Sequence, residues 1–148
     1  MEINQLGRKV IAVFDTNLFI SGLFGQNSTT AQLQELWITK VFVLGTSLEI
    51  MKEVGKVLQY PKIRKNLIDK DEIIKRFFRL IFRKAIVAED SFSTDRIVAD
   101  PTDNKFLACA LEVNADYIVS GDNHLLSIKH FHGIQIVDAA SFIRKITG

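Results

Sequence analysis

The sequence predicts an α/β fold, a parallel sheet covered by helices on both faces. Three observations carry that reading. Short apolar runs rich in Val and Ile recur along the chain, segments of helical spacing separate them, and an Asp follows two of the runs.

The runs predict strands at Val10–Phe14, Val41–Leu44, Ala85–Ala88, Tyr117–Ser120 and Ile134–Val137. Between the first two, Leu33, Leu36 and Trp37 repeat at helical spacing. Leu48, Met51, Val54 and Leu58 do so after the second, and Tyr60-Pro61 breaks that helix from the next, because the residue before a proline is pushed out of the helical region. Ile73, Ile74, Phe77, Phe78 and Ile81 mark an apolar helix face, with Lys75, Arg76, Arg79 and Arg83 around the other side. Glu89 to Thr102 is polar and reads as a loop ending at Pro101. Phe106, Leu107, Ala110 and Leu111 begin another helix, and Phe142 and Ile143 belong to a short closing one. With no repeats, low-complexity tracts or linkers, the 148 residues are expected to form one domain, long enough to bury a real core.

Bulk properties exclude several classes. No apolar run approaches the roughly 20 residues of a membrane helix, and Val10–Phe14 is too short for a signal-peptide core. A cytoplasmic location with no membrane association is the expectation. Cys109 is the only cysteine, which rules out an intrachain disulfide or a thiolate metal cluster, and it sits among apolar neighbours as a small core residue. The net charge of +2 is uneven: the stretch from Lys62 to Lys84 carries nine Lys/Arg against Asp69, Asp71 and Glu72, or +6, leaving −4 elsewhere. A basic segment on an otherwise acidic chain suits a polyanion partner, and equally suits a solvated helix face.

The acids are the most informative residues. In a parallel sheet, ligands bind beyond the carboxyl ends of the strands, at a switch point in strand order. Asp15 follows the first strand and Asp122 the fourth; if those strands are neighbours their ends lie about 5 Å apart. Asp103 opens the helix that precedes the fourth strand, and such a helix begins at the same edge. The helix after the second strand starts there too and offers Glu49 and Glu53, four residues apart on one face. Singly, each acid has a structural explanation as a helix cap, a first-turn residue or a turn former. Gathered on one edge they repel one another, and burial sharpens the repulsion, so the group calls for a cation.

On these residues the chain resembles the PIN-domain family. The resemblance rests on Asp15-Thr16-Asn17 after the first strand, Ser47 with Glu53 in a Glu-Val-x-x-Val-Leu helix, Asp100-Pro-Thr-Asp103-Asn-Lys, and Val119-Ser-Gly-Asp122, in order from Val10 to Phe142. It is similar to the branch of toxins from toxin–antitoxin systems. The resemblance implies a three-layer α/β/α sandwich with a five-stranded parallel sheet in the order 3-2-1-4-5. It further implies metal-dependent cleavage of RNA, a cognate antitoxin and a homodimer. Asp15, Glu53, Asp103 and Asp122 fall at the family's acidic positions, as metal ligands and catalytic residues, with Thr16, Asn17, Asp100 and Ser120 in support.

The chemistry agrees. Hard cations such as Mg2+ or Mn2+ take oxygen ligands, and Mg2+ keeps most of its waters while using one or two carboxylates. Bound water is acidified for attack on a phosphodiester, and a second ion roughly 3.5–4 Å away steadies the leaving oxygen. Asp15 and Asp122 are expected to be direct ligands, with Asp103 and Glu53 on a second ion or on the attacking water. Arg76, Arg79 and Arg83 are the expected RNA-binding residues.

Other readings fit less well. A haloacid-dehalogenase phosphatase would need a second acid where Asn17 stands, a response-regulator receiver would place its Asp after a middle strand, and no P-loop is present. His130 and His132 are spaced to share a strand face but fall before the fifth strand, away from the acids, while His124 lies close to Asp122. The rival of another class is a module that keeps the fold to bind RNA or protein without cutting.

Overall fold

A computed structural model of the chain describes Ile3 and residues 7–24, 27–89 and 103–148. Its central sheet grows from β1 (Ile11–Phe14), four consecutive buried residues, as a strand covered on both faces should be. Parallel neighbours flank it: β2 (Val43–Ser47) on one side and β4 (Tyr117–Val119) on the other. Outward from these lie β3 (Ile86–Ala88) beside β2, and β6 (Ile134–Val137) beside β4. A two-residue strand, β5 (His130–Phe131), closes the edge antiparallel to β6. The sheet order is β3-β2-β1-β4-β6-β5.

The expected order is therefore present, with one strand added at the edge, making six rather than five. The addition is a tight hairpin around His132 and Gly133, both at positive φ. His130 lies in β5 and His132 in the turn, so the two do not share a strand face, and both are exposed surface residues as expected from their place before the last long strand.

The helices are α1 (Thr16–Phe24), α2 (Ser28–Ile38), α3 (Leu48–Val57), α4 (Pro61–Arg64), α5 (Asp71–Lys84), α6 (Asn104–Glu112), α7 (Asn123–Ile128) and α8 (Ala139–Thr147). Proline opens α4, where its missing N–H costs nothing, and a 3-10 turn at Lys65–Leu67 follows.

Two apolar layers enclose the sheet. On one face, Phe14 meets Phe19 of α1, Phe42 and Phe142 of α8, with ring centroids 5.8, 5.8 and 6.5 Å away. Phe77 of α5 extends this aromatic layer through an edge contact with Phe19. On the other face Val113, which ends α6, packs over Gly45 so closely that a Cβ on Gly45 would lie 2.8 Å from a Val113 methyl and 3.5 Å from one of Val13. Among the described residues no helix is long and apolar enough to cross a membrane.

Candidate active site

The chain steps from β1 outward to β2 and β3 on one side, then crosses back to β4 on the other side of β1, so the sheet's switch point lies between β1 and β4. Asp15 and Ser120 stand there. The Asp15 N–H donates to Val119 O at 3.1 Å, extending the β1–β4 pairing by one step, and Ser120 N–H donates to Val137 O at 3.0 Å.

Asp15 is only 4% exposed, and its carboxylate accepts three hydrogen bonds. Its Oδ1 accepts from Leu18 N at 2.9 Å, capping α1; its Oδ2 accepts from Ser120 Oγ at 2.5 Å and from Gly121 N at 3.3 Å. Ser120 Oγ in turn accepts from Asp122 N at 2.9 Å, which directs the hydroxyl proton toward Asp15. Burial raises the Asp15 carboxyl above its ordinary range; the three hydrogen bonds oppose the shift and the charge of Asp122 adds to it. Asp122 caps α7 through Oδ1, which accepts from His124 N at 3.0 Å. Both strand-end aspartates are thus helix caps and wall residues of one cleft at once.

That cleft has a volume of about 190 Å3 and is lined by Asp15, Thr16, Asn17, Glu53, Asp103 and Asp122, with Val57, Phe106 and Leu125 as its apolar wall. Asp103, buried at the start of α6, takes the N-cap position without capping the helix through its side chain. Glu53 projects from the middle of α3, a helix begun by Ser47, whose Oγ accepts from Ile50 N at 3.1 Å. Glu49 is exposed in the first turn and does not line the cleft. Asp100 lies outside the described residues.

The basic residues do not join the acids. Arg76 lines a separate apolar cavity of about 260 Å3 between α1, α2 and α5, together with Phe19, Trp37 and Phe77. Arg79 and Arg83 are exposed on α5. A residue that no sequence pattern singled out joins the acids instead: Lys105, whose Nζ lies 3.1 Å from Glu53 Oε1. Glu53 Oε2 accepts from the Thr16 hydroxyl. Lys105 sits two residues after Asp103, but nothing in that spacing names Glu53, fifty-two residues earlier, as its partner.

Among the described residues no three His, Cys, Asp or Glu side chains converge closely enough to cage an ion as they stand. The donor set still suits a hard cation. It is all oxygen, it comes from four acids on one cleft, and Mg2+ needs only one or two of them directly. An ammonium already neutralises one of the four.

An α/β/α sandwich with carboxylates gathered at its switch point defines a class of acidic-site α/β domains. The chain belongs to the PIN-domain family, whose model matches residues 11–124. It is 33% identical over 121 residues to the uncharacterized protein MJ1680 of Methanocaldococcus jannaschii, covering 82% of this chain and 76% of that one. In fold it is similar to PAE2754 of Pyrobaculum aerophilum, with a TM-score of 0.61 and 18% identity over 93% of this chain and 89% of that one. It is similar too to VapBC2 of Rickettsia felis, solved bound to a DNA fragment from its promoter, with a TM-score of 0.56 and 14% identity over 86% of this chain and 97% of that one.

Proposed function

We propose that the protein is a metal-dependent endoribonuclease that hydrolyses RNA phosphodiester bonds, and the toxin of a toxin–antitoxin pair. One observation carries the reading: Asp15, Glu53, Asp103 and Asp122, drawn from four separate segments, line a single cleft at the switch point. A domain that only binds gains nothing from burying mutually repelling acids, whereas PIN domains as a family are nucleases. The likeness to VapBC2, a toxin–antitoxin system, supports the second half of the proposal and an antitoxin partner.

Asp15 and Asp122 would hold Mg2+ or Mn2+, with Asp103 and Glu53 on the facing wall. Such an ion supplies charge neutralisation at the phosphate and acidifies water for attack on phosphorus. The protein's own part is orientation. Ser120 and Gly121 fix Asp15, the α7 N-terminus fixes Asp122, and Thr16 fixes Glu53. Phe106, Leu125 and Val57 exclude water from one side of the cleft. Asn17, exposed at the cleft, is a donor for the RNA backbone.

The test is incubation of pooled single-stranded RNA with the protein and Mn2+ or Mg2+, with EDTA in parallel. Products that form with metal and vanish with EDTA are expected. RNA bound but intact in every arm would select the binding module instead.

A further inference from the structure

Carboxylates that share a cleft need a positive charge even before a metal arrives, and the fold supplies one. Lys105 Nζ is 3.1 Å from Glu53 Oε1, with the two side chains only 13% and 33% exposed. The other Glu53 oxygen is taken by Thr16, so both of its acceptors are engaged within the protein. Lys105 Nζ also lies over the ring of Phe106, a residue of the cleft wall, 5.2 Å from its centroid. Helix α6 therefore delivers an acid of the cleft, Asp103, and the cation that holds another of its acids.

We propose that Lys105 is a displaceable internal counter-ion, holding Glu53 in the metal-free site and competing with a divalent cation for that carboxylate. The inference rests on the reading of the cleft as a divalent-cation site and adds a regulator to it. Residue type favours exchange over a permanent pair. An ammonium is a single point charge on a flexible stem, and it grips a carboxylate through one contact, unlike the planar fork of arginine. Glu53 is also the most exposed member of the pair, so an incoming ion reaches it from the cleft without unpacking α3. The consequence is that Glu53 stays paired and ordered without metal, at the expense of the site's affinity for it.

Isothermal titration with Mn2+ alone, without RNA, tests this on the intact chain. Lys105→Met should bind Mn2+ more tightly than the parent, on the order of five- to tenfold, as expected for removing a coupled competitor. Lys56→Met, a neutralisation one turn further along α3, should leave the affinity unchanged and so controls for a general gain in negative field. Lys105→Gln provides a second neutral variant if methionine disturbs the fold, as judged by circular dichroism. Equal affinities for the parent and both Lys105 variants would overturn the proposal, as would an equal gain in Lys56→Met. A parent that binds no Mn2+ would overturn the cation site itself, a result distinct from the other two.

Discussion

Asp15 carries two opposed demands. As a cap and hydrogen-bond acceptor it organises the start of α1 and the turn at Ser120-Gly121. As a buried anion beside Asp122 it costs stability: burial, and to a lesser degree the Asp122 charge, pushes its carboxyl above the ordinary carboxylate range. A raised folded pKa for an acid means that stability is greatest below the unfolded pKa and is lost as pH rises through the folded one. Metal-free Asp15→Asn should therefore melt higher than the parent at pH 7, and the gap should close as pH falls toward the unfolded value. Adding Mn2+ should reverse the ranking, because a ligand that binds only the folded parent stabilises it by mass action. Thermal melts across pH, with and without Mn2+, check both; a variant less stable than the metal-free parent at every pH would contradict the account. The acids themselves were legible in sequence because the topology of a parallel α/β sheet sends strand ends and helix starts to one edge. The Lys105–Glu53 pair was not, since it joins α3 to α6 through a contact that no local pattern encodes.

Among the elements, β2 shows how packing overrides propensity. Its sequence ends in Gly45-Thr46-Ser47, which reads as turn chemistry, and the strand was expected to stop at Leu44. It continues because Gly45 pairs with Val13 on one side and Ile86 on the other, and because only a residue without a side chain fits beneath Val113. The extension carries Ser47 to the start of α3 and so sets where Glu53 points. Gly45→Ala should destabilise the fold by about 1–3 kcal/mol through overpacking, measured by denaturant unfolding; a neutral effect would mean that α6 shifts freely over the sheet. The strand β5 escaped notice for a different reason. Two residues are too few for a periodic signal, and its turn depends on positive φ at His132, which sequence does not announce. Helices α3 and α5 were readable because their apolar residues follow helical spacing against charged neighbours.

Across the whole molecule, the main basic stretch and the acidic cleft are built from different elements. The basic stretch from Lys62 to Lys84 forms α4, the 3-10 turn and α5, while the acids collect at the β1–β4 switch point. If α5 guides RNA, charge reversal at Arg76 and Arg79 should weaken binding and lower the slope of log affinity against log salt by about 0.7 per lost phosphate contact. Filter binding across a salt series reads this, and an unchanged slope would return α5 to an ordinary solvated face. Resemblance carried the sequence reading further than charge could, since a basic helix looks alike whether it meets RNA, a protein or water. The most direct test that the cleft cuts RNA is single-turnover cleavage of a pooled single-stranded RNA in Mn2+, comparing the parent with a folded Asp15→Asn variant. Products are expected from the parent, with a loss of at least about two orders of magnitude in the variant, the scale set by removing a group that acts in the transition state. Cleavage by the variant at the parental rate would contradict that role for Asp15.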